Sequence, residues 1–136
     1  MAAIAIIPVI VIGLVLAFLE LIFVHQDESG MGWLKHGFHA IPTMFIFIFI
    51  SMNIDFVTSL VGWTPSTWII IGIRVAIGII AAIKISAAAA VAGRVGEKLP
   101  HTLIIAGLIM ASPFIWEMLL CAIPFIKNLP MNGCPA

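Results

Sequence analysis

Charge is what this sequence has least of. Only 9% of its 136 residues are Asp, Glu, Lys or Arg, against about 25% in an ordinary soluble domain. With 63% hydrophobic residues and a mean hydropathy of +1.27, too little polar surface remains to clothe a water-soluble fold, and the bilayer is the expected solvent. The few charges also balance, six basic against six acidic, and none form a basic block. That excludes nucleic acid as a partner, because such affinity comes from Lys and Arg neutralising several phosphates at once. No basic side chain precedes the first apolar run, and no small-residue cleavage pattern stands before His25, so that run is expected to be retained as a span.

Other absences narrow the chemistry. The chain has no HExxH, no CxxC and only two cysteines, Cys121 and Cys134. Cys121 is expected inside the last span and Cys134 in the tail, too far apart for an intrachain disulfide unless the tail folds back deeply, and none is predicted. Ser51, Ser86 and Ser112 have no base beside them in sequence, and neither cysteine has an activating motif, so an enzyme is not favoured.

What is present is long apolar runs cut by polar punctuation. A hydrocarbon core of ~30 Å needs about 20 apolar residues per helix, and four such runs fit at about 3–24, 42–60, 68–92 and 102–126. The expected fold is a single all-α integral membrane domain over 1–136, with four transmembrane helices in an antiparallel bundle. HQDESGMG after the first run is a turn signal. Residues 31–40, with Trp33, Leu34, Gly37 and Phe38 at helical spacing around Lys35, His36 and His39, predict a short interfacial helix, and Pro42 suits the first turn of the second span. MFIFIFISM alternates with period two, but the length of the run decides for helix over strand. VGWTPST is a tight reversal, RVGEKLPH is a loop, Pro113 predicts a kink in the fourth span, and 127–136 is expected to be irregular. AAAAVAG in the third span and the pair Gly107 and Ala111 in the fourth are small enough to let a neighbouring backbone come close.

The loops between spans one and two and between three and four hold Lys35, Arg94 and Lys98, against Lys127 on the other side. Counting Lys and Arg near span ends puts those loops in the cytoplasm of a multi-pass cell-membrane protein and both termini outside. Trp33 at one boundary, with Trp63 and Trp68 at the other, suits an aromatic belt.

Five charges fall within spans: Glu20, Asp55, Arg74, Lys84 and Glu117. A charge at a helix centre costs ~2.5 to 3.5 kcal/mol on an insertion scale, so each of these wants a partner. At 1.5 Å per residue Glu20 lies ~10 Å and Lys84 ~6 Å from the midplane toward the loop side, while Asp55 at ~6 Å, Arg74 at ~9 Å and Glu117 at ~4 Å lie on the other. Two layers of matched sign follow, Glu20 with Lys84 and Arg74 with Asp55 and Glu117. Helical rotation puts Arg74, Ile77, Gly78, Ala81, Lys84 and Ala88 on one stripe and turns Asn53 about 160° away from Asp55. Two readings stand: structural ion pairs that fix helix register, or a pathway for an ion, proton or small solute in which a carboxylate carries the charge beside the permanently ionised Arg74.

His25, His36, His39 and His101 all fall at the loop-side surface. They are the right ligand types for a metal ion, although their spacing is unspecific, and interfacial histidines also simply suit a partly wetted boundary. No other cofactor is predicted. His39 and His101, like Asp55 and Glu117, are 62 positions apart, which would suit a parallel repeat of two hairpins; the residues between do not match. Besides the lipid bilayer, the expected partners are further copies of the chain or other membrane subunits, because four helices enclose little pathway alone. The sequence therefore leaves three functions open: transport, an accessory role in a larger membrane complex, and a metal site at the histidine rim.

Overall fold

The computed structural model describes residues 4–27, 32–92 and 98–127. The regular elements among them are all helical: α1 (Ile6–Asp27), α2 (Gly32–Met52), α3 (Ile54–Ser59), α4 (Thr67–Ala92), α5 (Leu99–Ile115), a π turn (Trp116–Leu120) and α6 (Pro124–Lys127). Ile6–Asp27, Thr67–Ala87 and Leu99–Leu119 are long and apolar enough to cross a membrane, and Gly37–Met52 is a shorter apolar helix. This is the make-up of a helical membrane protein. Its helices are apolar on every side: Leu16, Met44, Ile48, Ile85, Ile105 and Ile109 are buried between them, while Leu14, Phe18, Ile83 and Trp68 stand on the outside.

Central α2 packs against α1, α4 and α5, and α1 also meets α5. Small residues set the closest approaches. A side chain on Gly13 would collide with the ring of Phe45, and one on Gly37 with Leu21. The numbers rise in α1 as they fall in α2, so the two helices are antiparallel. The backbone N–H of Ala5 extends the same register by donating to Asn53 Oδ1 at 2.7 Å. In α4 and α5, Gly78 faces Met110 and Arg74 faces Phe114, again antiparallel.

The expected interfacial helix 31–40 and the span beginning at Pro42 are one continuous helix, with Pro42 inside α2. Proline removes one amide bond, which helices packed among others tolerate, so Pro42 does not start a helix here. The interruption comes instead at Asn53. Its side-chain nitrogen donates to the Phe49 carbonyl at 2.9 Å, its oxygen is taken by Ala5, and its backbone turns to φ −120°, ψ 35° before α3 begins. Such local side-chain bonding competes with a regular helix. The reversal from α3 to α4 uses Gly62 at φ +67°, a conformation that glycine adopts without strain.

In α5 the carbonyl of Ile109 would normally bond the amide that Pro113 lacks. It accepts instead from Ser112 Oγ at 2.8 Å and from Ser51 Oγ of α2 at 3.1 Å, so the proline defect is repaired across a helix interface. The helix then widens into the π turn, where Cys121 N–H donates to the Trp116 carbonyl at 2.9 Å.

Candidate functional site

Two groups of charged side chains stand near opposite ends of the helices. At the end where α4 begins and α5 finishes, Arg74 is half-buried and its guanidinium lies 5.2 Å from the centre of the Phe114 ring, within cation–π range. The carboxylates acting on it electrostatically are Glu117 of the π turn and Asp55 of α3. Among the described residues no contact ion pair joins them, so the three charges act through space. Both carboxylates are exposed on the outside of the chain. Each also sits at a helix irregularity, Asp55 just after the break at Asn53 and Glu117 within the proline-linked π turn. Asn53 is buried against the start of α1 while Asp55 is exposed, as their rotation around the helix requires.

Beside Arg74 a groove of about 240 Å³ opens between α4 and α5, lined by Ile71, Val75, Gly107, Met110, Ala111 and Phe114. That is below the usual size of an enclosed ligand pocket. Gly107 has open space where a side chain would stand. The small pair Gly107 and Ala111 therefore borders a groove and does not bring a helix of this chain close.

At the opposite end, Asp27 closes α1 and its side chain is only 1% exposed. Its Oδ2 accepts from the backbone N–H of Lys98 at 3.0 Å and pairs with His101 Nδ1 at 2.7 Å, while Oδ1 lies 3.0 Å from the Lys98 ammonium. Lys98 is the N-cap of α5, and its own side chain makes no cap; a carboxylate from another helix supplies the negative charge that a helix N-terminus favours. The imidazole of His101 stacks on Phe23 of α1, with centroids 4.3 Å apart and rings 11° from parallel. No motif in the sequence singles out Asp27, and Pro100 just inside α5 is the signal that a helix N-terminus stands there to be capped.

Glu20 is fully buried, and Lys84 lies on the exposed side of α4. The expected pair of Glu20 with Lys84 does not form. Of the four histidines, His101 is held by Asp27, His39 Nδ1 bonds the Lys35 carbonyl of its own helix at 2.9 Å, His25 is exposed, and the His36 side chain lies outside the described residues. Among the described residues no three His, Cys, Asp or Glu side chains are grouped to hold a metal ion.

Cys121 is disulfide-bonded, against the expectation that no disulfide forms. The reason is local: helical structure gives way to a turn at Cys121, so it sits at a helix end and not deep in a continuous span. The chain's other cysteine, Cys134, lies outside the described residues. Comparisons with protein-family models, with curated proteins and with solved structures found no match.

Proposed function

We propose that this is a four-crossing protein of the cell membrane that moves a proton, another ion or a small solute, working as a homo-oligomer or beside partner membrane subunits. For the fourth crossing, the stretch from Gly37 through α3 spans about 34 Å at the helical rise, enough for a core of ~30 Å. One observation supports the transport reading: the charge of Arg74 is influenced by two carboxylates drawn from separate segments, Glu117 and Asp55. Arg74 keeps its charge, whereas a carboxylate beside it can hold and release a proton or cation. Between this cluster and the Glu20 end, the core side chains Met44, Ile48, Ile105 and Ile109 are apolar and buried, as a carrier closed between two half-routes requires. Exposure of Asp55 and Glu117 supports neighbouring helices that cover them. Loop-side lysine and arginine support a cytoplasmic side for those loops, and a disulfide at Cys121 suits termini that face an oxidising compartment.

The same apolar layer favours a second reading, an accessory subunit with no route of its own. Reconstitution of the purified chain alone in liposomes separates the two. Internal pH and cation leak are followed for wild type, Glu117→Gln and Asp55→Asn. Transport requires flux in wild type that falls to the empty-liposome level in Glu117→Gln while that variant stays folded. Absence of flux in wild type under proton, sodium and potassium gradients would transfer the assignment to the accessory role.

A further inference from the structure

We infer that the seam between α1 and α5 is a gated inlet, through which water and a proton or small monovalent cation reach Glu20 from the loop side, and that the Asp27–His101 contact is its closure. This rests on the transport reading and adds to it the loop-side station and its gate.

Three observations carry it. First, the closure is built across two helices: Asp27 binds both the backbone and the ammonium of Lys98 and the ring of His101, and the His101 ring lies flat on Phe23. Second, polar groups continue inward behind it. Thr102 follows His101 directly, is fully buried, and its hydroxyl has no hydrogen-bond partner among the described residues. A buried hydroxyl in that state is one a water molecule would satisfy. Third, Glu20 is on the same face of α1 as Asp27, two turns and about 10 Å deeper, and is fully buried. Beyond it the core becomes apolar at Ile105 and Ile109. Buried polar residues thus follow the closure inward on both helices, Thr102 on α5 and Glu20 on α1, before the apolar core begins, which is the layout of a half-route with a binding station at its end.

The closure is reversible by its chemistry. Its polar contacts all converge on a single carboxylate at the end of α1, so loss of that one anchor frees Lys98 and His101 together. Neighbouring copies are not needed for the gate, since every group in it belongs to one chain.

The test reads access and not flux. In full-length protein reconstituted in liposomes, Thr102→Cys is labelled with a small water-soluble methanethiosulfonate applied to the loop side, and the signal of the parent chain is subtracted. With the closure intact, labelling should be slow. Asp27→Asn should speed it about tenfold, and His101→Phe, which keeps a ring on Phe23 and removes the hydrogen bond, should do the same. Ile109→Cys, deeper in α5, should stay unreactive in all backgrounds. The inlet is overturned if Thr102→Cys reacts fast with the closure intact, if neither variant speeds it, or if Ile109→Cys becomes reactive along with it, which would mean general loosening. Faster labelling in liposomes that show no flux would uphold the inlet and remove transport.

Discussion

Pro113 and Ser51 belong to different helices but serve one carbonyl. Because Pro113 withholds its amide from Ile109, the Ser51 hydroxyl has a use it would lack in a regular helix. Ser51→Ala should lower stability by about 0.6 to 1.7 kcal/mol, the range of interhelical hydrogen bonds measured in membranes. In a Pro113→Ala background, where an amide returns to Ile109, the same change should have a smaller effect. Thermal unfolding in detergent of the two single variants and the double variant gives the coupling, and equal effects in both backgrounds would refute it. At this scale the sequence was a partial guide. The Glu20 and Lys84 pairing failed because a stripe 120° wide covers both the packed and the open side of a helix. Ile77, Gly78, Ala81 and Ile85 make the buried face of α4, and Lys84 is 100° around from Ile85.

At the scale of elements, composition makes the helices evident and leaves their interruptions obscure. The long apolar run of α4 has no competing signal. Pro42, by contrast, is a good first-turn residue and also a tolerable interior one, and only the packing of α2 among three neighbours decides. Asn53 breaks α2 because a distant group, the amide of Ala5, donates to its side-chain oxygen, and nothing local in the sequence contains that fact. The glycines are graded by what they face. Gly13→Ala drives a methyl into the Phe45 ring, and Gly78→Ala meets the flexible end of Met110, which can give way. Gly107→Ala meets open space and gains helix propensity of about 1 kcal/mol. Unfolding midpoints in one detergent should therefore fall most for Gly13→Ala, less for Gly78→Ala, and hold or rise for Gly107→Ala.

For the whole molecule, shortage of charge already pointed to a membrane, since no soluble fold could hide so much apolar surface. Sidedness was harder to read, because it rested on a handful of lysines and arginines. The disulfide at Cys121 gives an independent handle. In sealed cells or right-side-out vesicles, a membrane-impermeant phosphine should reduce it and make Cys121 available to maleimide, with mass spectrometry locating the label. Reduction that requires lysis would place this end of the helices in the cytoplasm and reverse the proposed orientation. The metal reading drew on four histidines that share one membrane face. Sharing a face is not convergence: His101 is engaged by Asp27 and His39 by its own helix.

The hydrogen bond from Ala5 to Asn53 also bears on the order of events during synthesis. A ribosome that has just delivered α1 has made a helix whose leading amide still lacks its acceptor, because Asn53 has not yet been translated. That acceptor arrives only after α2 is complete and has turned back alongside. The first two helices are thus finished as a unit, and the α1 end is secured by the residue that follows α2.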